Sequence, residues 1–309
     1  MSELTDPPLT IPAGTQVVTR TAVRHEAGAE IAPAGAVGIV VAAPDRVEGA
    51  YIVRLPDGRE VALRRKQLSI RKAHQREGVL PSPPEPDSLR PYIIYRCVVG
   101  SRAYGLDDAG SDTDRRGIYL PPARLNWSLA GLPEQLEDHA AQETYWEFQK
   151  FLALALKANP NVLECLYTPL VEYATPLATE LRAMRGCFLS KHLYQTYNGY
   201  VLSQFRLLEQ DLRTHGAVRL KHAMHLIRLL LSGIIALREG TLPVQMTEHR
   251  EQLLAIKHGE LPWPEVNAWR LDLHQQFDAA YAATALPERP DSAAADEVLI
   301  CARRLMVED

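Results

Sequence analysis

The stretch that decides the reading is Gly100 to Leu120, "GSRAYGLDDAGSDTDRRGIYL". It follows the apolar run "YIIYRCVVG", which ends in Gly100, and it leads into "RRGIYL". Two apolar, β-branched runs separated by a polar loop read as strand, loop, strand. The loop carries two peculiarities. A Gly-Ser pair opens it, and Asp112 and Asp114 flank a single threonine near its end. Two carboxylates at i and i+2 on an extended chain point to one side. At about 4 Å they repel by roughly 4 kcal/mol at an effective dielectric near 20. A divalent cation between them removes that cost, and Mg²⁺ takes carboxylates together with water and phosphate oxygens. Gly100 lets backbone approach a ligand closely. The Ser101 hydroxyl, with the amides after it, including that of Arg102, can donate to phosphate. A phosphate cradle ahead of a metal-holding Asp pair suits attack on a nucleotide α-phosphate.

The surroundings are consistent with a folded chain of ordinary composition. Of 309 residues, 46% are hydrophobic and 23% charged, and the net charge of −4 does not mark the whole chain as a nucleic-acid binder. No uninterrupted apolar run reaches the roughly 18 residues of a membrane span, and "MSELTDPPLTIPAG" lacks the pattern of a signal peptide. A cytoplasmic protein without a membrane partner is expected, with Cys97, Cys165, Cys187 and Cys301 as reduced thiols.

Residues 1–72 read as a small β-barrel, most like an SH3 domain, with a hairpin at Pro56-Asp57-Gly58. Its end is basic: Arg64, Arg65, Lys66, Arg71 and Lys72 are either a solvated edge or a phosphate-contacting patch. Residues 73–90, rich in proline, read as a linker. Residues 91–186 read as an α/β core with a mixed sheet, and 187–309 as an α-helical domain. "WEFQKFLALALKA" has helical spacing and stops at "NPN". "LYQTYNGYVLSQFRLLEQDLRTHG" and "AVRLKHAMHLIRLLLSGIIALREG" both end in glycine.

The order of strand, Gly-Ser, spacer, D-x-D and strand resembles the DNA polymerase β superfamily of nucleotidyltransferases. With "KFLALALKANPNVLECLY" and "KHAMHLIRLLLSG", the chain from about Tyr92 to Asp309 looks like the nucleotidyltransferases linked to RNA repair and associated with RNA ligases. The resemblance implies that Gly100 and Ser101 hold the triphosphate and that Asp112 and Asp114 hold metal, Mg²⁺ or alternatively Mn²⁺. It also implies a third carboxylate on a later strand. Glu143 in "QETYW" is the first choice, and Glu137, Asp138 and Glu147 stay open. Arg116 fits the D-x-D-x-R-G run, either tying the aspartates in place or as a surface arginine.

Lys221, His225 and Arg228 fall at i, i+4 and i+7 and share a helix face, with His222 beside them. They read either as a solvated basic face or as one wall of a phosphate-binding cleft. Tyr194, Tyr197 and Tyr200 read as core or as a stacking surface for a base. The expected activity is transfer of an NMP from an NTP, ATP first, to a hydroxyl acceptor, an RNA 3′ end first. Nucleotidylation of a protein or small molecule, and a catalytically inactive nucleic-acid-binding protein, are the alternatives. The oligomeric state is left open.

Overall fold

A computed structural model describes residues 10–25, 30–44, 49–71, 81–216 and 218–307, without the side chains of 211 and 215. The chain divides into two units, Met1–Ser82 and Pro83–Asp309.

The first unit is mainly β among its described residues. Strands β1 (Gln16–Thr19), β4 (Val37–Ala42), β5 (Ala50–Arg54), β6 (Glu60–Arg64) and β7 (Leu68–Ile70) form one sheet in the order β6-β5-β4-β1-β7. Every neighbouring pair in it is antiparallel. Strands β2 (Val23–Arg24) and β3 (Glu30–Ala32) pair separately. Alternation buries Val17, Val40, Val53, Leu63 and Leu68 in one core. The expected hairpin is present: Gly58 N–H donates to the Leu55 carbonyl at 2.9 Å, and Leu55 N–H to the Arg59 carbonyl at 2.8 Å. The edge strands β6 and β7 do not pair, so hydrogen bonds do not close the expected barrel. They are nevertheless joined by Arg65–Gln67 alone. Four flat inter-strand steps would separate them by about 19 Å, and so short a link spans no more than about 14 Å. The sheet must therefore roll up without closing. Arg65 donates to the Leu68 carbonyl at 3.1 Å and Arg71 to Gln16 at 2.6 Å, so two of the basic side chains at this end have partners within the unit. Lys72 lies outside the described residues.

The second unit begins earlier than a linker up to residue 90 allows. Pro86 starts the short helix α1 (Pro86–Leu89) at a position where its missing N–H costs nothing. Leu89 is fully buried. The sheet has the order β10-β11-β9-β8-β12, with β8 Ile93–Val99, β9 Asp114–Tyr119, β10 Gln135–Asp138, β11 Glu143–Glu147 and β12 Val171–Ala174. β9 and β11 are parallel and the other pairs antiparallel, a mixed sheet within an α+β fold. Gly117 is required where β9 crosses β8, because a Cβ there would lie 1.9 Å from the Tyr95 carbonyl oxygen.

The helices are α2 (Gly100–Tyr104), α3 (Ala123–Asn126), α4 (Phe148–Leu156), α5 (Pro160–Tyr167), α6 (Pro176–Ala183), α7 (His192–His215), α8 (Leu220–Glu239), α9 (Arg250–His258), α10 (Trp263–Ala283) and α11 (Ser292–Leu305). Pro160 ends one helical run and starts the next, with the Asn159 side chain capping α5. One sheet face carries Tyr95, Cys97, Ile118 and Trp146 into a continuous core that also takes in α8, Phe277 of α10 and Ala302 of α11. The expected break at residue 187 is thus no boundary of packing. α8 is long and apolar enough to cross a membrane by length and composition, yet most of it is buried inside the protein.

Candidate active site

The turn after β8 is shaped around one carboxylate. Val99 is extended, Gly100 has φ of +71°, and α2 follows at once. Antiparallel pairing sets Val99 opposite Asp114. A Cβ on Gly100 would meet Asp114 Oδ2 at 2.7 Å, so only glycine lets the turn rest against that side chain. Gly100, Ser101, Tyr104 and Asp114 form one side of a cleft of about 730 Å³. Gln204, Leu207 and Leu208 of α7, Arg219 just ahead of α8, and Lys221, His222, Met224 and His225 of α8 form the rest.

Asp112 is exposed and precedes the strand, which begins at Asp114. The two aspartates are therefore not related by strand alternation. Gln142 donates its side-chain amide to Asp112 Oδ2 at 3.0 Å. Arg102 does not line the cleft; its guanidinium donates to the carbonyls of Ser111 at 2.7 Å and Asp112 at 3.2 Å. It shapes the loop rather than facing a ligand. Arg116 donates to the carbonyls of Arg115 and Gln142, at 2.8 and 3.0 Å, and its other nitrogen lies 3.8 Å from Asp114 Oδ1.

Glu143 is on the wrong face. Parallel pairing sets Glu143 against Arg115 and Thr144 against Arg116, and paired residues share a face. Asp114 and Arg116 point to the main core side with Ile118 and Trp146. Glu143 points with Tyr119 and Tyr145 to a second, smaller core. There it pairs with Arg90 at 3.0 Å, which also holds Asp138 at 2.7 Å and Asp87 at 3.1 Å. Glu147 pairs with Arg303 at 2.6 Å and caps α4. Glu137 is on β10, beside Thr144 and a strand further from β9. Among the described residues, no three Asp, Glu, His or Cys side chains gather as a metal-binding cluster. Asp114 lines the cleft and Asp112, on the adjoining loop, does not; carboxylate oxygens of this kind are the donors a hard cation such as Mg²⁺ would take together with water and phosphate oxygen.

Arg228 is also misplaced by the sequence reading. The stripe Lys221, His225, Arg228 runs from solvent into the core: Lys221 is exposed and Arg228 is 0% exposed. Arg228 Nη2 donates to Glu164 Oε1 at 2.6 Å, and its guanidinium lies 3.6 Å from the centroid of the Tyr104 ring. The Tyr104 hydroxyl donates to Glu164 Oε2 at 2.5 Å. Burial opposes the Arg228 charge, but Glu164 and Tyr104 hold its pKa above the ordinary value. This buried trio fastens the helix after the Gly-Ser turn to α5 and α8. Glu164 was missed as a functional residue; the available signal was a lone acid within the apolar block "NVLECLY". His225, above the trio, has its pKa depressed to about 3 by burial, then by Arg228 and His222, so it is neutral at pH 7.

None of the three tyrosines lines the cleft. Tyr197 is core, Tyr194 stacks on Tyr281 at 4.2 Å, and Tyr200 is partly exposed.

Residues 64–301 match RlaP, the RNA repair pathway DNA polymerase beta family. The chain belongs to that family. The RlaP match begins in the last residue of β6, so most of the first unit lies outside it and its SH3-like character stays an expectation. The chain is 30% identical over 156 residues to uncharacterized protein YcgL of Bacillus subtilis (strain 168), covering 49% of this chain and 58% of YcgL. It is 21% identical over 238 residues to uncharacterized protein MJ0002 of Methanocaldococcus jannaschii, covering 70% of this chain and 96% of that protein. No solved structure matches the chain.

Proposed function

We propose that this RlaP-family protein is a Mg²⁺-dependent nucleotidyltransferase that moves an NMP from an NTP, ATP first, to the 3′ hydroxyl of RNA. The observation that carries the reading is the Gly100 turn resting on Asp114 at the edge of a cleft that also holds Lys221 and His225. The triphosphate lies along Gly100 and Ser101, whose hydroxyl donates to a phosphate oxygen. Lys221 offsets phosphate charge from the opposite side. His225, being neutral, donates a hydrogen bond without adding a cation. Asp114 and Asp112 hold the divalent ion; Mn²⁺ would fit the same oxygens. When bound, the ion would neutralise phosphate charge and polarise the bond from the α-phosphorus to its bridging oxygen, which breaks to release pyrophosphate as the 3′ oxygen bonds to that phosphorus. Arg116 and Arg102 keep the two aspartates in place.

Among the described residues no third carboxylate joins the two aspartates, which favours a second reading, a protein that binds NTP without transferring it. Incubation with Mg²⁺ and each α-labelled NTP, with and without RNA, separates the two. Label on RNA is the expected result. Label on the protein itself, or on a small molecule, changes the acceptor, and tight NTP binding with no transferred label supports the second reading.

A further inference from the structure

The two sides of the cleft differ in chemistry. Glycine backbone, a hydroxyl and a carboxylate come from Gly100, Ser101 and Asp114. Across from these, α8 brings Lys221, His222 and His225, whereas Gln204, Leu207 and Leu208 of α7 with Met224 of α8 make a patch without a charged side chain. Leu208 is buried, whereas Leu207 is 52% exposed, so apolar surface faces the open cleft. The polar group among these residues is uncharged and held in position: Gln204 Oε1 lies 2.9 Å from His222 Nε2. With that oxygen accepting, the imidazole nitrogen is the donor. Gln204 Nε2 carries two N–H donors, and the carbonyl oxygen keeps a second lone pair. The amide therefore presents a donor and an acceptor side by side, next to apolar surface. A ligand matching this is flat, apolar on its faces, and lined along its edge with donors and acceptors.

We propose that this uncharged patch of α7, with Met224 of α8, is the subsite for the nucleobase of the NTP. Leu207 and Met224 cover the base, and Gln204, oriented by His222, reads its edge. The inference rests on the NTP reading above, since it is the triphosphate at Gly100 and Ser101 that brings a base into the same cleft. A volume of about 730 Å³ accommodates a whole nucleotide, so base and phosphates share one cavity.

The test compares inorganic triphosphate with the four NTPs by calorimetry on the full chain with Mg²⁺. The variants are Leu207→Ala, Leu207→Met, Gln204→Ala and His222→Ala, each checked for an unchanged melting temperature. Leu207→Ala should weaken NTPs about tenfold, the scale of a lost half-buried leucine contact, and leave inorganic triphosphate unchanged. Leu207→Met should restore the affinity. Gln204→Ala should narrow the spread of affinities among the four NTPs, and His222→Ala should do so to a lesser degree. If NTPs and inorganic triphosphate weaken equally, or neither changes, the subsite is wrong although the triphosphate reading stands. If wild-type protein binds neither, the NTP reading falls and the subsite falls with it.

Discussion

At position 100, any side chain would sit 2.7 Å from the Asp114 carboxylate and would need φ of +71°. A Gly100→Ala variant should therefore lose about 1–2 kcal/mol of stability, the cost of left-handed backbone in an L-residue. Its NTP affinity should fall further than that loss explains, because the turn must move off Asp114. Thermal melts and NTP titration on the same sample check both. His225 makes a pH prediction. Its folded pKa of about 3 lies below the ordinary value of 6.5. The unfolded state takes up a proton first as pH falls, so the stability present above 6.5 is lost between 6.5 and about 3. By pH 5 the loss is about 2 kcal/mol. Wild type should lose that much more than His225→Gln between pH 7 and pH 5, and an equal loss in both would contradict the neutral histidine.

At the scale of elements, strand parity explains what was hidden in the sequence. The D-x-D loop was legible because glycine, serine and two carboxylates between apolar runs are local features. Which face Glu143 takes depends on the register of β11 against β9, and a shift of one residue reverses every side chain. Nothing within "QETYW" fixes that register. Glu143→Gln should accordingly cost about 1 kcal/mol through the partly buried Arg90 cluster and leave NTP affinity unchanged, as melts and titration would show. Helical periodicity likewise put Arg228 on the right stripe of α8 but not at the right depth, since depth depends on what packs against the helix. Removing either Glu164 or Arg228 strands a buried charge and should cost about 3–5 kcal/mol, while replacing both with Leu should cost less than either single change. Additive losses in that double-mutant cycle would mean the pair is not coupled.

At the scale of the whole molecule, the division at Ser82/Pro83 cuts through the proline-rich stretch read as a linker, but Pro86 onward belongs to the second unit. Proline content signalled a boundary without signalling its exact place, because proline also starts helices. The rolled sheet of the first unit was legible as strands and not as a barrel, since closure depends on how the two edges meet. A chain of residues 83–309 should melt cooperatively and bind NTP with unchanged affinity, whereas its apparent KM for RNA should rise at low salt if the basic end of the first unit contacts phosphates. Loss of NTP binding in that chain would make the first unit part of the site. The most direct measurement of the central claim is transfer of α-labelled NMP to RNA with Mg²⁺ by wild type and by Asp114→Asn. Wild type should label the RNA 3′ end, and Asp114→Asn should label it at least a hundredfold less, a loss on the order of 3 kcal/mol of transition-state stabilisation. Undiminished labelling by a folded Asp114→Asn variant would contradict that claim.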